Sequence, residues 1–309
     1  MTITVSILMP MRNAEAYIKE TIQSLLNQSF SDFELIVVND GSNDASQALV
    51  ESFADARIKV IQGNSEGISA ALNLALNYAK GRYVCRCDAD DLYPVERLQV
   101  QVDWLELHPE YIAVAGKFSS MDKSSHVIAE FNTGDVECEI TLELLSGKTR
   151  THLGAFLMSL STVKELEGFR EYFVTAEDID MQLRLTECGR VAYIPHNMYF
   201  YRIHNESITH VQSSNKRVFY EKIARDFLKQ RLDNGADALE KGMPPQAPTI
   251  EDKPSNSTDQ IVGYMMGESW HLHGNKQKKA ALTISMRACM KKPLVWSVWK
   301  NIIMILVKR

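Results

Sequence analysis

The sequence predicts an α/β protein built on a doubly wound, mostly parallel sheet, and three observations carry that prediction. Apolar runs of strand length alternate with helical-period segments through the first half of the chain. Their spacing is that of repeated strand–helix–strand units. Polar clusters at 10–13, 39–42 and 88–91 each follow a strand, at the carboxyl ends where such sheets bind ligands.

The elements follow in order. Ile3 to Met9 places Ile3, Val5, Ile7 and Met9 on one face of a first strand, which Pro10 ends. Ile18, Ile22, Leu25 and Leu26 recur at helical spacing, and Phe33 to Val38 is a strand apolar except at Glu34. Arg57 to Ile61 reads as a third strand. The helix marked by Ile68, Ala71, Leu72, Ala75, Leu76 and Ala79 is expected to stop at Gly81 as its C-terminal cap. Arg82 to Cys87 is the fourth strand and runs into Asp88-Ala89-Asp90-Asp91. Beyond it, Gly154 to Met158 predicts a strand, and 162–167 and 176–187 predict helices. Strands at 191–194 and 198–203 and a helix at 216–232 follow. The stretch 233–260 holds four prolines and two glycines among many polar residues and reads as a flexible linker. Helical segments fill the remainder. The expected domains are a catalytic domain at 1–220 and a helical C-terminal region at 221–309.

With 309 residues and 45% apolar content, the chain has ample material for a core, which excludes disordered and disulfide-scaffold classes. The net charge of -5 conceals a split. Residues 276–309 hold nine Lys or Arg and no acid, leaving 25 basic and 39 acidic side chains before them. An acidic body with a basic tail is not the pattern of a nucleic-acid binder, so no nucleic-acid partner is expected. The beginning of the sequence shows no signal-peptide pattern, and five cysteines without framework spacing favour a reducing compartment. Cys85 and Cys87 read as small buried residues rather than a zinc site. The longest apolar run, Ile302 to Val307, is far short of the ~20 residues of a spanning helix. A cytoplasmic protein, peripheral at most on the inner face of the cell membrane, is the expectation.

The acidic cluster is the sharpest chemical feature. In extended backbone, Asp88 and Asp90 point to one side, where a divalent cation and a polar ligand can share them. The alternative is a solvated acidic turn before a helix, with Pro94 in its first turn. A second acidic pair, Glu177-Asp178, opens a predicted helix, where the macrodipole alone favours acids.

Together with Val5-Ser-Ile-Leu-Met-Pro-Met-Arg-Asn13, Val37-Val-Asn-Asp-Gly-Ser42, Asn64-x-x-Gly67, Ala176-Glu-Asp-Ile-Asp180 and Tyr201-Arg-Ile-His204, the cluster makes the chain resemble glycosyltransferase family 2 over about residues 3–210. The resemblance implies a GT-A-type, Rossmann-like mixed sheet flanked by helices, with the helical C-terminal extension outside it. It also implies an inverting, metal-dependent hexosyl- or N-acetylhexosaminyl-transferase. Such an enzyme moves a sugar from a nucleoside diphosphate, UDP being expected, to a glycan or lipid-linked glycan in surface polysaccharide synthesis. On this resemblance Pro10, Arg12, Asn13, Asp40, Asn64, Gly67, Asp88 and Ala89 contact the nucleotide sugar. Asp90, with His204, holds Mg²⁺ or Mn²⁺. Asp178 is the general base, with Glu177 beside it in the catalytic pair. Asn39-Asp40 departs from the family's usual Asp-Asp but keeps the second acid. Gln182-Leu-Arg-Leu-Thr186 lacks the Arg-Trp of processive synthases, so a single addition is expected. Arg184 is expected to pair with a carboxylate.

The chemistry agrees with two acidic sites. One carboxylate must take the acceptor's proton while the leaving diphosphate is neutralised elsewhere. A sugar nucleotidyltransferase is a competing reading, weakened because Met11-Arg-Asn-Ala-Glu15 has no glycine and one cation. A non-catalytic membrane-associated scaffold of the same fold is another.

The tail carries a partner expectation. On a helical wheel of 293–309, Ser297, Lys300, Asn301 and Lys308 form a polar sector against a broad apolar face with Trp296 and Trp299. With Lys276, Lys278, Lys279, Lys291 and Lys292, this suits an anionic membrane surface. Docking on the protein's own core or on a partner subunit is the alternative.

Overall fold

A computed structural model describes residues 3–131, 133–205, 214–249 and 256–308. The chain divides into two compact units. The larger comprises residues 1–118, 132–200 and 215–251, and the smaller comprises 119–131, 201–214 and 252–309.

The larger unit is built on a sheet. Strands β1 (Val5–Met11), β2 (Phe33–Asn39), β3 (Ile58–Gln62) and β4 (Tyr83–Arg86) lie parallel in the order β3-β2-β1-β4. Helices α1 (Ile18–Leu26), α2 (Ser46–Glu51) and α3 (Ile68–Tyr78) connect them. Past β4 the parallel pattern ends. The sheet continues through β8 (Leu157–Ser159), β5 (Tyr111–Met121), β9 (Arg190–Arg202) and β7 (Cys138–Glu139), and β8 runs antiparallel to both β4 and β5. The sheet is therefore mixed rather than mostly parallel. Helices α4 (Arg97–Leu107), α5 (Thr141–Leu145), α6 (Leu160–Glu165), α7 (Glu177–Cys188) and α8 (Ser214–Asn234) complete the unit. Leu8, Ile36, Val38 and Val84 from the strands pack with Leu72, Ala75, Leu183 and Phe227 in one core.

Several local expectations change. The runs at 191–194 and 198–203 join into the single thirteen-residue strand β9, which continues through Pro195. Gly81 is not a cap: α3 closes at Ala79, and a Cβ at Gly81 would sit 2.6 Å from the Ser6 nitrogen, so close strand approach requires glycine there. Pro94 precedes α4 by three residues instead of entering its first turn. Gly189 does close α7, and Cys85 and Cys87 are buried free thiols. Within 233–249, Asp237 is fully buried and accepts from Arg170 and Arg231, each at 2.5 Å. Residues 250–255 of the expected linker lie outside the described residues.

In the smaller unit, β6 (Val127–Glu130) pairs antiparallel with residues 119–121 of β5. Helices α9 (Ser257–Gly274), α10 (Lys278–Lys291) and α11 (Trp296–Val307) pack around Ile261, Met265, Ala288 and Val298. One expectation fails here. Asn301, assigned to the polar sector of the tail, is buried, and its amide donates to Ser269 and Ser285 hydroxyls at 3.0 and 3.1 Å. Among the described residues, no helix is long and apolar enough to cross a membrane.

Candidate active site

The polar cluster after β1 is a built turn. Asn13 adopts a left-handed φ of 51°; its N–H donates to Ser42 Oγ at 3.0 Å, and its side-chain oxygen accepts from the Asn43 N–H at 2.9 Å. The 39–42 turn is thereby tied to β1, with Arg12 exposed beside it and Pro10 half-buried. Gly41 is needed on two counts: its φ is +80°, and a Cβ would lie 2.0 Å from Ser65 Oγ. Asn39 accepts from the Ser42 N–H at 3.0 Å and donates to Gln47 at 2.8 Å.

Asp40 is buried, and its two oxygens accept from the N–H groups of Glu66 and Gly67 at 3.2 and 2.9 Å. It thus fixes the turn before α3 that carries Asn64 and Gly67, and brings Gly67 to its side. A carboxylate has further acceptor sites, so these bonds leave room for a ligand donor.

The 88–91 cluster differs from the extended geometry expected of it. Strand β4 ends at Arg86, and residues 88–91 form a turn in which the Asp91 N–H meets the Asp88 carbonyl at 3.4 Å. The alternation argument that put Asp88 and Asp90 on one side therefore does not apply. Ala89 is buried, and its carbonyl accepts from Thr21 at 3.1 Å. Asp91 is buried and accepts from the Tyr199 hydroxyl, so it serves the framework.

Arg86 is the centre of the site and is absent from the motif reading. It donates to both oxygens of Asp88, at 2.7 and 3.1 Å, and to Glu177 at 2.6 Å. The 88–91 turn and the start of α7 are brought together through this one guanidinium. Burial disfavours its charge, but Asp88 and Glu177 outweigh that and raise its pKa. Burial raises the Glu177 carboxyl, against the pull of Arg86. A lone Arg in an apolar strand beside an acidic cluster is the signal that reveals such a residue, because buried charge requires a partner.

Helix α7 opens after Ala176, a non-glycine residue at φ 63°. Glu177 faces Arg86, while Asp178 turns toward His152, whose Nε2 lies 3.6 Å from Asp178 Oδ2. His152 is the second residue missed; no motif surrounds it. The Gly154 N–H donates to its Nδ1 at 3.2 Å, which assigns the neutral ring's proton to Nε2, facing Asp178. The ring stacks on Tyr199 with centroids 5.1 Å apart. Burial lowers its pKa, although Asp178 pulls it upward. Asp180, third acid of the helix start, is committed to Arg170 and Arg184; Arg184 Nε donates to it at 2.9 Å, the pairing expected of that arginine.

For a divalent cation, the described residues contain no group of three or more His, Cys, Asp or Glu suited to a metal. A hard cation at a diphosphate needs only one or two protein carboxylates beside phosphate oxygens. Asp88 has both oxygens engaged by Arg86, and Asp90 is half-buried in the same turn. His204 belongs to the smaller unit, where it is buried.

The description Glycosyl transferase family 2 matches residues 6–148. EpsE of Bacillus subtilis (strain 168), named as a glycosyltransferase, is 34% identical over 195 residues, covering 61% of this chain and 69% of that protein. The chain belongs to glycosyltransferase family 2. The chain is also similar to the Escherichia coli UDP-Glc:alpha-D-GlcNAc-diphosphoundecaprenol beta-1,3-glucosyltransferase WfgD. It is 38% identical over 102 residues, 33% of this chain and 40% of its own. The crystal structure of S. aureus TarS 1–349 in complex with UDP-GlcNAc aligns with a TM-score of 0.64 at 19% identity. The match covers 98% of this chain and 89% of that one, and identifies the fold as GT-A-type. The protein is thus a glycosyltransferase of GT-A-type fold.

Proposed function

We propose that this glycosyltransferase inverts the anomeric centre as it moves a hexosyl or N-acetylhexosaminyl group from a UDP-sugar to a hydroxyl of a glycan or lipid-linked glycan. The observation that carries the reading is the division of labour at the start of α7. Arg86 holds Glu177 and Asp88 together, while the next carboxylate, Asp178, lies 3.6 Å from His152 Nε2. WfgD, named for a UDP-glucose donor and a diphosphoundecaprenol-linked acceptor, supports the donor and acceptor classes.

In this reading the acceptor oxygen attacks the anomeric carbon as its proton passes to Asp178. The bond from that carbon to the diphosphate breaks on the opposite face, and UDP leaves. Glu177 contributes by fixing the helix start through Arg86. Asp40, Asn64 and Gly67 meet the base and ribose, and Pro10, Arg12 and Asn13 border the same pocket. Asp88 and Ala89 meet the ribose or sugar. Asp90 would hold Mg²⁺ or Mn²⁺. Such an ion supplies neutralisation of the charge developing on the leaving group. The catalytic part is placed at residues 1–220, and helix α8, which runs past that boundary, packs Phe227 into the same core.

The test is a panel of nucleotide sugars with and without Mn²⁺, read by melting temperature and by released nucleoside diphosphate. A UDP-sugar at a hundred times its Kd should stabilise the fold by about 2.7 kcal/mol. No shift and no released diphosphate with any donor would overturn the reading.

A further inference from the structure

Helix α11 is built inside out. Its buried stripe consists of Val298, Asn301 and Ile305, so a polar amide sits in the core and donates to two serine hydroxyls. Its opposite stripe presents large apolar side chains: Trp296 is 69% exposed, Trp299 45%, Ile303 46%, Leu306 53% and Val307 74%. The segment leading in adds Leu294, 97% exposed. A water-facing helix places its polar side chains outward, whereas here the contiguous outer stripe is apolar, and a patch of that kind marks an interaction surface.

Charge decides between occupants. Residues 276–309 carry nine Lys or Arg and no acid, and Arg287, Lys291 and Lys300 are exposed. Two copies joined through this face would set like charge against like. A bilayer with anionic headgroups instead accepts both features. The apolar stripe enters the acyl boundary, Trp residues suit the headgroup level, and each nearby cation adds about 1 kcal/mol of attraction.

We propose that the outer face of α11, with the segment that leads into it, docks in the plane of an anionic lipid bilayer. The inference rests on the smaller unit alone and not on the reading of the catalytic site.

The test is flotation of the full chain with phosphatidylcholine vesicles and with mixed phosphatidylcholine–phosphatidylglycerol vesicles, alongside light scattering without lipid. The chain should float with the mixed vesicles and not with pure phosphatidylcholine, and added salt should weaken the association. The W296S/W299S variant, which also loses the Trp299 Nε1 hydrogen bond to the Pro293 carbonyl, should stay folded and lose at least about tenfold in vesicle affinity. The K291Q/K300Q variant should lose preference for the anionic vesicles. Absent flotation with the anionic vesicles, or undiminished flotation of W296S/W299S, would overturn the proposal. So would a dimer in lipid-free solution that dissociates in W296S/W299S, since it would make a second copy the occupant.

Discussion

Replacing Arg86 by methionine tests the organisation of the site in a purely physical way. The Arg86 and Glu177 side chains are each 6% exposed and meet at 2.6 Å, and Asp88 shares the same guanidinium. Removing one partner of a buried pair leaves an uncompensated charge and costs about 3–5 kcal/mol. For a domain of this size the melting temperature should fall by roughly 6–20 °C. The sign of the pH dependence follows from Glu177. Burial raises its carboxyl above the ordinary 4.5, and loss of Arg86 removes the main influence pulling it down. A carboxyl raised in the fold binds its proton more tightly folded than unfolded. Its contribution is full below about 4.5 and is lost as pH rises through the higher folded value. The deficit of R86M should therefore be small near pH 4.5 and widen toward neutrality. R86M/E177Q should recover part of the loss and flatten its pH dependence. Urea denaturation across that range reads both. A deficit under about 1 kcal/mol, as for a surface pair, or one constant with pH would refute the argument.

Three further outcomes are expected. His152→Ala should lower kcat by about 5- to 10-fold with little change in donor KM, because the imidazole that lies 3.6 Å from Asp178 and helps position that carboxylate is lost. His152→Gln, which keeps a donor, should restore part of it in the same steady-state assay. Gly41→Ala should destabilise by more than about 1 kcal/mol in thermal denaturation, since φ +80° and the approach of Ser65 both exclude a Cβ. Asp90→Asn should abolish the Mn²⁺-dependent part of UDP-sugar binding measured by calorimetry; retained metal dependence would remove Asp90 from that role.

The parallel half of the sheet was legible because its strands are short, mostly apolar runs closed by turn residues. The antiparallel half was not. In β5, Tyr111–Met121, small and polar residues interrupt the apolar pattern, and β9 is punctuated by Pro195-His196-Asn197 yet continues as one strand. Helix α2 escaped notice because only Ser46 and Val50 of its six residues are buried, too few to mark a period. At the site, the acidic side chains could be picked out by motif, but the groups that orient them could not. Arg86 reaches Glu177 across 91 residues of sequence. His152 meets Asp178 only because β8 and the 3₁₀ turn before it, Leu153–Ala155, fold beside α7. The tail misled at one position, where two serines make a core site for Asn301 that a helical wheel cannot show.

The central claim is that Asp178, and not its neighbour, takes the acceptor's proton. The most direct measurement is transfer by Asp178→Asn, with UDP-sugar affinity determined on the same preparation. The account predicts donor binding within about twofold of the parent and turnover lower by at least about 10²-fold, the range for loss of a general base. Transfer at the parental rate in D178N would contradict it.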